Sequence, residues 1–369
     1  MTRFETDKRI VLTLDAGGTN FVFSAIQGNR EVVEPVTLPS SANNLVLCLS
    51  NIVSGFEQIK NKLEAAPSAI SFAFPGPADY PMGIIGDLFN LPAFRGGIAL
   101  GPMLEDKFQL PVFINNDGDL FVYGEAVAGF LPYVNNLLAE AGSPKRYKNL
   151  FGVTLGTGFG AGLVRNGDLY IGDNSCGTEI WLLRNKINPR TNAEEGACIR
   201  AVQRVYTNML NIPFNDSPSP KDIYEIGKGT LPGNKDAAIE AYRQLGESVG
   251  DSLSQSITLL DTMIVIGGGI AGASDLFMPA LISEMNGTYE NPAGEKFPRL
   301  AFTTYNLEDK NDLKKFLTGD KTEITVPGTN KKIVYDPQKR IGVGISKLGT
   351  SSAVSIGAYV FALHALDKK

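Results

Sequence analysis

The chain has 369 residues, 43% of them hydrophobic and 20% charged, which supplies a large core and excludes disorder as the main state. Thirty-four Lys and Arg stand against 39 Asp and Glu, a net charge of −5, so nothing in the total favours nucleic acid or an anionic membrane as partner. Three well-separated cysteines, Cys48, Cys176 and Cys198, suit neither a disulfide framework nor a Cys-rich zinc site and fit a reducing cytoplasm.

The first nine residues mix both charge signs and lack the apolar stretch of a signal peptide. Short β-type runs bounded by Gly or Pro follow: Arg9 to Leu14, Phe21 to Ile26, Ala69 to Phe74, Pro111 to Ile114, Phe151 to Leu155 and Met263 to Ile266. Helical periods lie between and after them, at Asn43 to Ala65, Asp119 to Ala128, Cys198 to Leu210, Asp236 to Leu260 and Ser352 to Leu366. The alternation predicts α/β layers. Ser143 to Lys148 reads as a short basic loop, and Thr322 to Tyr335 as a β-hairpin turning at Pro327-Gly328-Thr329-Asn330. No apolar run approaches the roughly 20 residues of a membrane helix. The richest, Ala353 to Leu366, is too short and holds Ser355, Gly357 and His364.

The 40 glycines cluster where strands end, which is where chemistry is expected. A turn with several exposed backbone N–H groups cradles an anion, and glycine lets a ligand approach the backbone. Asp15-Ala16-Gly17-Gly18-Thr19-Asn20 offers such a turn with a carboxylate at its start. A carboxylate beside phosphates implies a divalent cation at Asp15. Gly156-Thr157-Gly158-Phe159-Gly160 offers a second cradle, and Gly267-Gly268-Gly269 a third site of close approach. Any one of these could be an ordinary tight turn; three together favour a nucleotide. Neither a P-loop segment nor a dinucleotide fingerprint is present. The first two turns also relate the chain's halves by a weak symmetry, as two similar lobes facing a cleft would.

These pieces, in this order, resemble the ROK sugar kinases of the actin-like ATPase (hexokinase/Hsp70) superfamily over nearly the full length. Asp15 to Asn20 is similar to the family's first phosphate motif and Leu155 to Gly162 to its second. Ile266 to Gly272 is similar to its adenosine motif. Phe74-Pro75-Gly76-Pro77 and Asn90-Leu91-Pro92-Ala93-Phe94 are similar to its sugar-side loops. Asn116-Asp117-Gly118-Asp119 to Gly124-Glu125 is similar to its N-D-x-N…G-E segment, and Leu348-Gly349 with Gly357-Ala358 to its C-terminal helix.

The resemblance implies an α/β fold of two RNase-H-like lobes. Residues 1–118 with a C-terminal helix at about 352–369 would form the smaller, and 119–351 the larger, with a hairpin insertion near 320–337. It implies transfer of the γ-phosphoryl group of Mg·ATP to a hexose or hexosamine hydroxyl, O6 by expectation, in a cytoplasmic homodimer. ATP and its phosphates would meet Asp15, Gly17, Gly18, Thr19, Asn20, Gly156, Thr157, Gly158, Gly267, Gly268 and Gly269. Sugar would meet Gly76, Asn90, Asn116, Asp117, Glu179 and Glu194, or Glu195 in place of Glu194. A sugar hydroxyl needs a base, and Asp117 at a strand end suits that work. Asp117 could instead cap the following helix, a role for which Asp119 competes. Glu194 and Glu195 could simply occupy the first turn of a helix.

Two departures stand out. The family's Glu-x-x-His becomes Glu179-Ile180-Trp181-Leu182, and the zinc cysteines beyond it are absent, so no zinc is expected. The single histidine, His364, reads as a packing or surface residue. Leu182 removes a donor from the sugar side, and Trp181 is either a stacking platform or a core residue. A non-catalytic sensor of the same fold is the alternative. A DNA-binding arm is not expected, because the phosphate motif begins at Asp15.

Overall fold

The structure is a computed structural model, and it describes residues 4–88 and 91–368. The chain divides into two compact units. One holds residues 1–129, 162–178 and 347–369; the other holds 130–161 and 179–346.

The first unit opens with β1 (Val11–Ala16), β2 (Asn20–Gln27), β3 (Arg30–Glu31) and β4 (Val36–Pro39). There follow α1 (Leu45–Asn61), β5 (Ala69–Ala73), the short strands β6 (Ala78–Asp79), β7 (Ile84–Ile85) and β8 (Ile98–Ala99), α2 (Leu100–Phe108), β9 (Val112–Asn115) and α3 (Asp117–Val127). The main sheet has the order β3-β2-β1-β5-β9, with β4 also paired to β2. β1 and β2 are antiparallel, whereas β1, β5 and β9 run parallel, with Asp15 opposite Ala73 and Ala73 opposite Asn115. Three parallel strands therefore end side by side. Helix α1 buries Cys48, Ile52, Gly55, Phe56 and Ile59, a stripe of helical period, against the sheet. Its cap is Asn44, whose side chain accepts the Leu47 N–H at 3.1 Å. Phe56 meets Phe23 edge-on at 5.2 Å, and a side chain at Gly55 would overlap the Phe23 ring.

In chain order come α4 (Phe130–Glu140), β10 (Leu150–Leu155), β11 (Phe159–Arg165), β12 (Asp168–Tyr170), α5 (Ile199–Leu210), α6 (Pro220–Lys228), α7 (Lys235–Leu260), β13 (Met263–Gly267) and α8 (Ser274–Met285). The hairpin β14 (Thr288–Glu290) and β15 (Lys296–Pro298), then β16 (Thr303–Asn306), α9 (Lys310–Thr318), the hairpin β17 (Thr322–Thr325) and β18 (Lys332–Tyr335), and β19 (Arg340–Ile345) follow. The second unit's sheet has the order β11-β10-β13-β19-β16, and the outer half of β11 pairs antiparallel with β12. β10, β13, β19 and β16 are parallel. The β17–β18 hairpin pairs Thr322 with Tyr335 and stands exposed on both faces. Its foot is fixed by a buried Arg340–Asp336 pair at 2.7 Å, with Arg340 Nε donating to the Phe316 carbonyl at 2.7 Å.

The C-terminal helix α10 (Thr350–Asp367) packs on α3 within the first unit. Glycines set the approach: a side chain at Gly357 would overlap the Leu120 carbonyl, and one at Gly124 the Ala353 carbonyl. Glu125, fully buried, accepts the N–H of Leu348 at 3.0 Å and of Lys347 at 3.3 Å. The G-E and G-A segments are thus a helix contact and a carboxylate that fixes the entry to α10. His364 on α10 meets the Tyr123 hydroxyl at 2.7 Å through Nδ1 and is a packing residue, as expected.

Candidate active site

In the first unit the predicted residues gather where the parallel strands end. Asp15 closes β1, Phe74 to Gly76 leave β5, and Asn116 and Asp117 follow β9. The carboxyl ends of parallel strands are where open α/β sheets bind ligands. The Phe74 N–H donates to the Asn115 carbonyl at 3.0 Å, and the Tyr80 hydroxyl to the Phe74 carbonyl at 3.0 Å. Asn116 Nδ2 lies 3.5 Å from the same hydroxyl, so Tyr80 ties the loop after β5 to the Asn116–Asp117 pair. A Cβ on Gly76 would stand 3.0 Å from that hydroxyl. Asn90 lies outside the described residues.

The cap of α3 is Asn116, neither Asp117 nor Asp119. Asn116 Oδ1 accepts the Gly118 N–H at 2.8 Å, and the helix begins at Asp117, two residues before the periodicity predicts. Asp119 turns inward and is buried in the first turn. Asp117 Oδ1 also accepts the Gly118 N–H, at 2.9 Å. Asp117 is itself exposed, yet the protein packed around it pushes its carboxyl above the ordinary carboxylate range by desolvation, against the lowering effect of the Gly118 and Asp117 N–H groups. Asp15 is raised too, by desolvation first and then by the negative charge of Asp117. Two carboxylates that feel one another beside a glycine turn are a place for a cation or a proton.

The turn after β1 shows what its glycines do. A Cβ on Gly17 would stand 2.8 Å from the Asn20 carbonyl, so Gly17 is required by the turn itself; a Cβ on Gly18 would meet nothing within 4 Å. The turn is braced from outside by Ser40, whose hydroxyl donates to the Gly18 carbonyl at 2.6 Å and whose N–H donates to the Thr19 carbonyl at 2.9 Å.

The second unit repeats the pattern. A Cβ on Gly158 would stand 2.9 Å from Glu194 Oε2, whereas one on Gly156 would meet open space. After β13, Gly268 has φ +89° and lies against the Leu155 backbone, whereas Gly269 is open. Gly17 and Gly268 are required by close backbone, Gly158 faces the Glu194 carboxylate, and Gly18, Gly156 and Gly269 have open space where a side chain would stand. That is a surface an anion or a nucleotide can approach.

Glu194 is placed by this turn. Its Oε2 accepts the Phe159 N–H at 3.2 Å, and its Oε1 pairs with Arg200 at 3.0 Å. Glu195 pairs with Arg200 and with Arg204. Both glutamates sit in the first turn of a short 3₁₀ helix, Ala193–Gly196, just ahead of α5. The role of Glu194 beneath the glycine turn was not legible in the sequence, because its partner is 35 residues away.

A model of the ROK family matches residues 11–310. The chain belongs to the ROK family. It is similar to a crystal structure of glucokinase from Parabacteroides distasonis, with 55% identity, a TM-score of 0.90, and 98% of this chain and 99% of that chain covered. It is 24% identical to a glucokinase of Thermotoga maritima, over 76% of this chain and 90% of the relative. The ROK hexokinase of Thermus thermophilus shares the fold at 18% identity, with a TM-score of 0.65 and coverage of 96% and 99%. The α/β, two-lobed actin-like ATPase fold expected from the motifs is the fold of this ROK protein.

The segment that follows Thr178 is built from short turns. Ile180 anchors a short turn, Ile180–Leu182, from which Leu182 projects 59% exposed. Trp181 is only partly buried, and its indole N–H donates to the Glu179 carboxylate. Trp181 is therefore not a core residue, and it orients Glu179. Beyond it the chain closes on Asn185, whose Oδ1 accepts the N–H of Ile187 at 2.9 Å and of Asn188 at 3.1 Å. Among the described residues no group of three or more His, Cys, Asp or Glu is arranged to hold a metal ion, and no helix is long and apolar enough to cross a membrane.

Proposed function

We infer that the chain is an ATP-dependent sugar kinase and propose that it transfers the γ-phosphoryl group of Mg·ATP to O6 of glucose. The observation that carries this reading is the Asp15–Asp117 pair. Both carboxyls are raised, Asp15 in part by the charge of Asp117, and both lie at parallel strand ends beside a glycine turn whose outer face is bare. The glucokinase from Parabacteroides distasonis supports glucose as the acceptor.

In this reading Asp117 takes the proton of the sugar hydroxyl as its oxygen bonds to phosphorus and the bridging oxygen leaves with ADP. Phosphoryl transfer asks the protein for position and charge compensation rather than covalent chemistry. A carboxylate with a raised pKa is a stronger proton acceptor than an ordinary Asp. Asp15 holds Mg²⁺ through water; when bound, the ion neutralises phosphate charge. Gly17, Gly18 and Thr19 receive phosphate, as do Gly156, Thr157 and Gly158, while Gly267, Gly268 and Gly269 face the nucleoside. Asn116, Gly76 and Glu179 meet the sugar, and Asn90 belongs to the same loop group. Glu194 is assigned here to the second glycine turn. The three free cysteines, two of them buried, support a reducing cytoplasm.

Leu182 should shape acceptor choice. An apolar exposed side chain cannot pair with a sugar hydroxyl, and an unpaired hydroxyl costs about 1–3 kcal/mol. The test is ADP release with Mg·ATP over glucose, mannose, fructose, N-acetylglucosamine and N-acetylmannosamine, for wild type and Leu182→His. Glucose should lead, and Leu182→His should sharpen the ranking. No ADP release with any of these sugars would overturn the reading.

A further inference from the structure

Arg200, in the first turn of α5, faces two ways. Its Nη1 donates to the Thr157 carbonyl at 3.0 Å, at the apex of the second glycine turn. Its Nη2 is shared between Glu194 Oε1 at 3.0 Å and Glu195 Oε1 at 3.2 Å. Glu194 in turn supports the turn from beneath, through the Phe159 N–H. A carboxylate has thus been built into the underside of a turn that is to receive phosphate. Left alone its charge would repel that ligand; Arg200 is the cation that offsets it.

Glu195 does not depend on Arg200. Its second oxygen is held by Arg204, which also donates from Nη1 to the Glu195 carbonyl at 3.2 Å. Arg200 can leave Glu195 without stranding a buried charge, and its side chain is 39% exposed. Losing a shared, half-exposed ion pair costs little, whereas a charged hydrogen bond to phosphate is among the stronger contacts available.

We propose that Arg200 binds the polyphosphate of the nucleotide, exchanging Glu195 for phosphate while it keeps Glu194 and the Thr157 carbonyl in place. The inference rests on the kinase reading above. It makes Arg200 a determinant of preference for ATP over nucleotides with fewer phosphates.

The test compares wild type, Arg200→Ala and Arg200→Lys for KM of ATP, KM of sugar, and calorimetric affinity for ATP and AMP. Arg200→Ala should raise the KM and Kd for ATP about tenfold or more, with sugar KM and AMP affinity nearly unchanged. Arg200→Lys, which keeps the charge but not the fork, should recover part of the loss. If Arg200→Ala fails to fold, the Lys variant alone decides, by a selective rise in the KM for ATP. Parallel loss of ATP and AMP affinity, or no loss of either, would overturn the assignment. Wild type that does not bind ATP at all would overturn the kinase reading itself, and this inference with it.

Discussion

At the residue scale the account turns on two carboxyls that are not comfortable as anions. Desolvation raises both, and Asp117 raises Asp15 further. A raised carboxyl pKa means that the folded state holds a proton more tightly than the unfolded chain. Both residues are exposed, so solvent screening keeps small the penalty each places on the fold at neutral pH, and that penalty fades as pH falls through the raised pKa. Asp15→Asn and Asp117→Asn should each melt no lower than wild type at pH 7, with any gain shrinking toward acid pH. Lower melting temperatures at pH 7, measured by calorimetry without Mg²⁺, would contradict the shift. Each Asp was legible as a carboxylate after a β-run, Asp15 ahead of a Gly-rich turn and Asp117 ahead of a helix, but the influence of Asp117 on Asp15 was not, because the strand ends meet only in the folded sheet. The capping role of Asn116 was not, since Asn, Asp and Asp in succession compete for it and only local geometry decides.

Among elements, the packing of α3 on α10 is the most exposed to test. Gly124 and Gly357 let the helices meet backbone to backbone, and α3 presents Asp117 at its first position. Gly357→Ala should force the helices apart and cost about 1–3 kcal/mol, read as a fall in urea midpoint at constant slope. A midpoint unchanged from wild type would show that the helices part freely. The sequence revealed strands where β-branched runs abut glycine. It concealed β16 and β19, which the periodicity did not predict. β16 has only four residues, and β19 carries Gly342 and Gly344 because Leu307 and Phe130 need their space, neighbours remote in sequence.

For the whole molecule, the segment around residues 179–196 of this ROK protein is held by its own hydrogen bonds. Asn185 there satisfies two backbone N–H groups that a loop must otherwise leave to water or a ligand. Excess EDTA should leave the melting temperature unchanged, while Asn185→Ala should cost about 1–3 kcal/mol. A fall of several degrees on chelation alone would reveal a structural metal. The most direct measurement is the rate at which Asp117→Asn forms glucose 6-phosphate from glucose and Mg·ATP, with sugar phosphate detected directly. Turnover should fall at least about 10²-fold with glucose affinity retained. A rate within about threefold of wild type would show that the base is not Asp117.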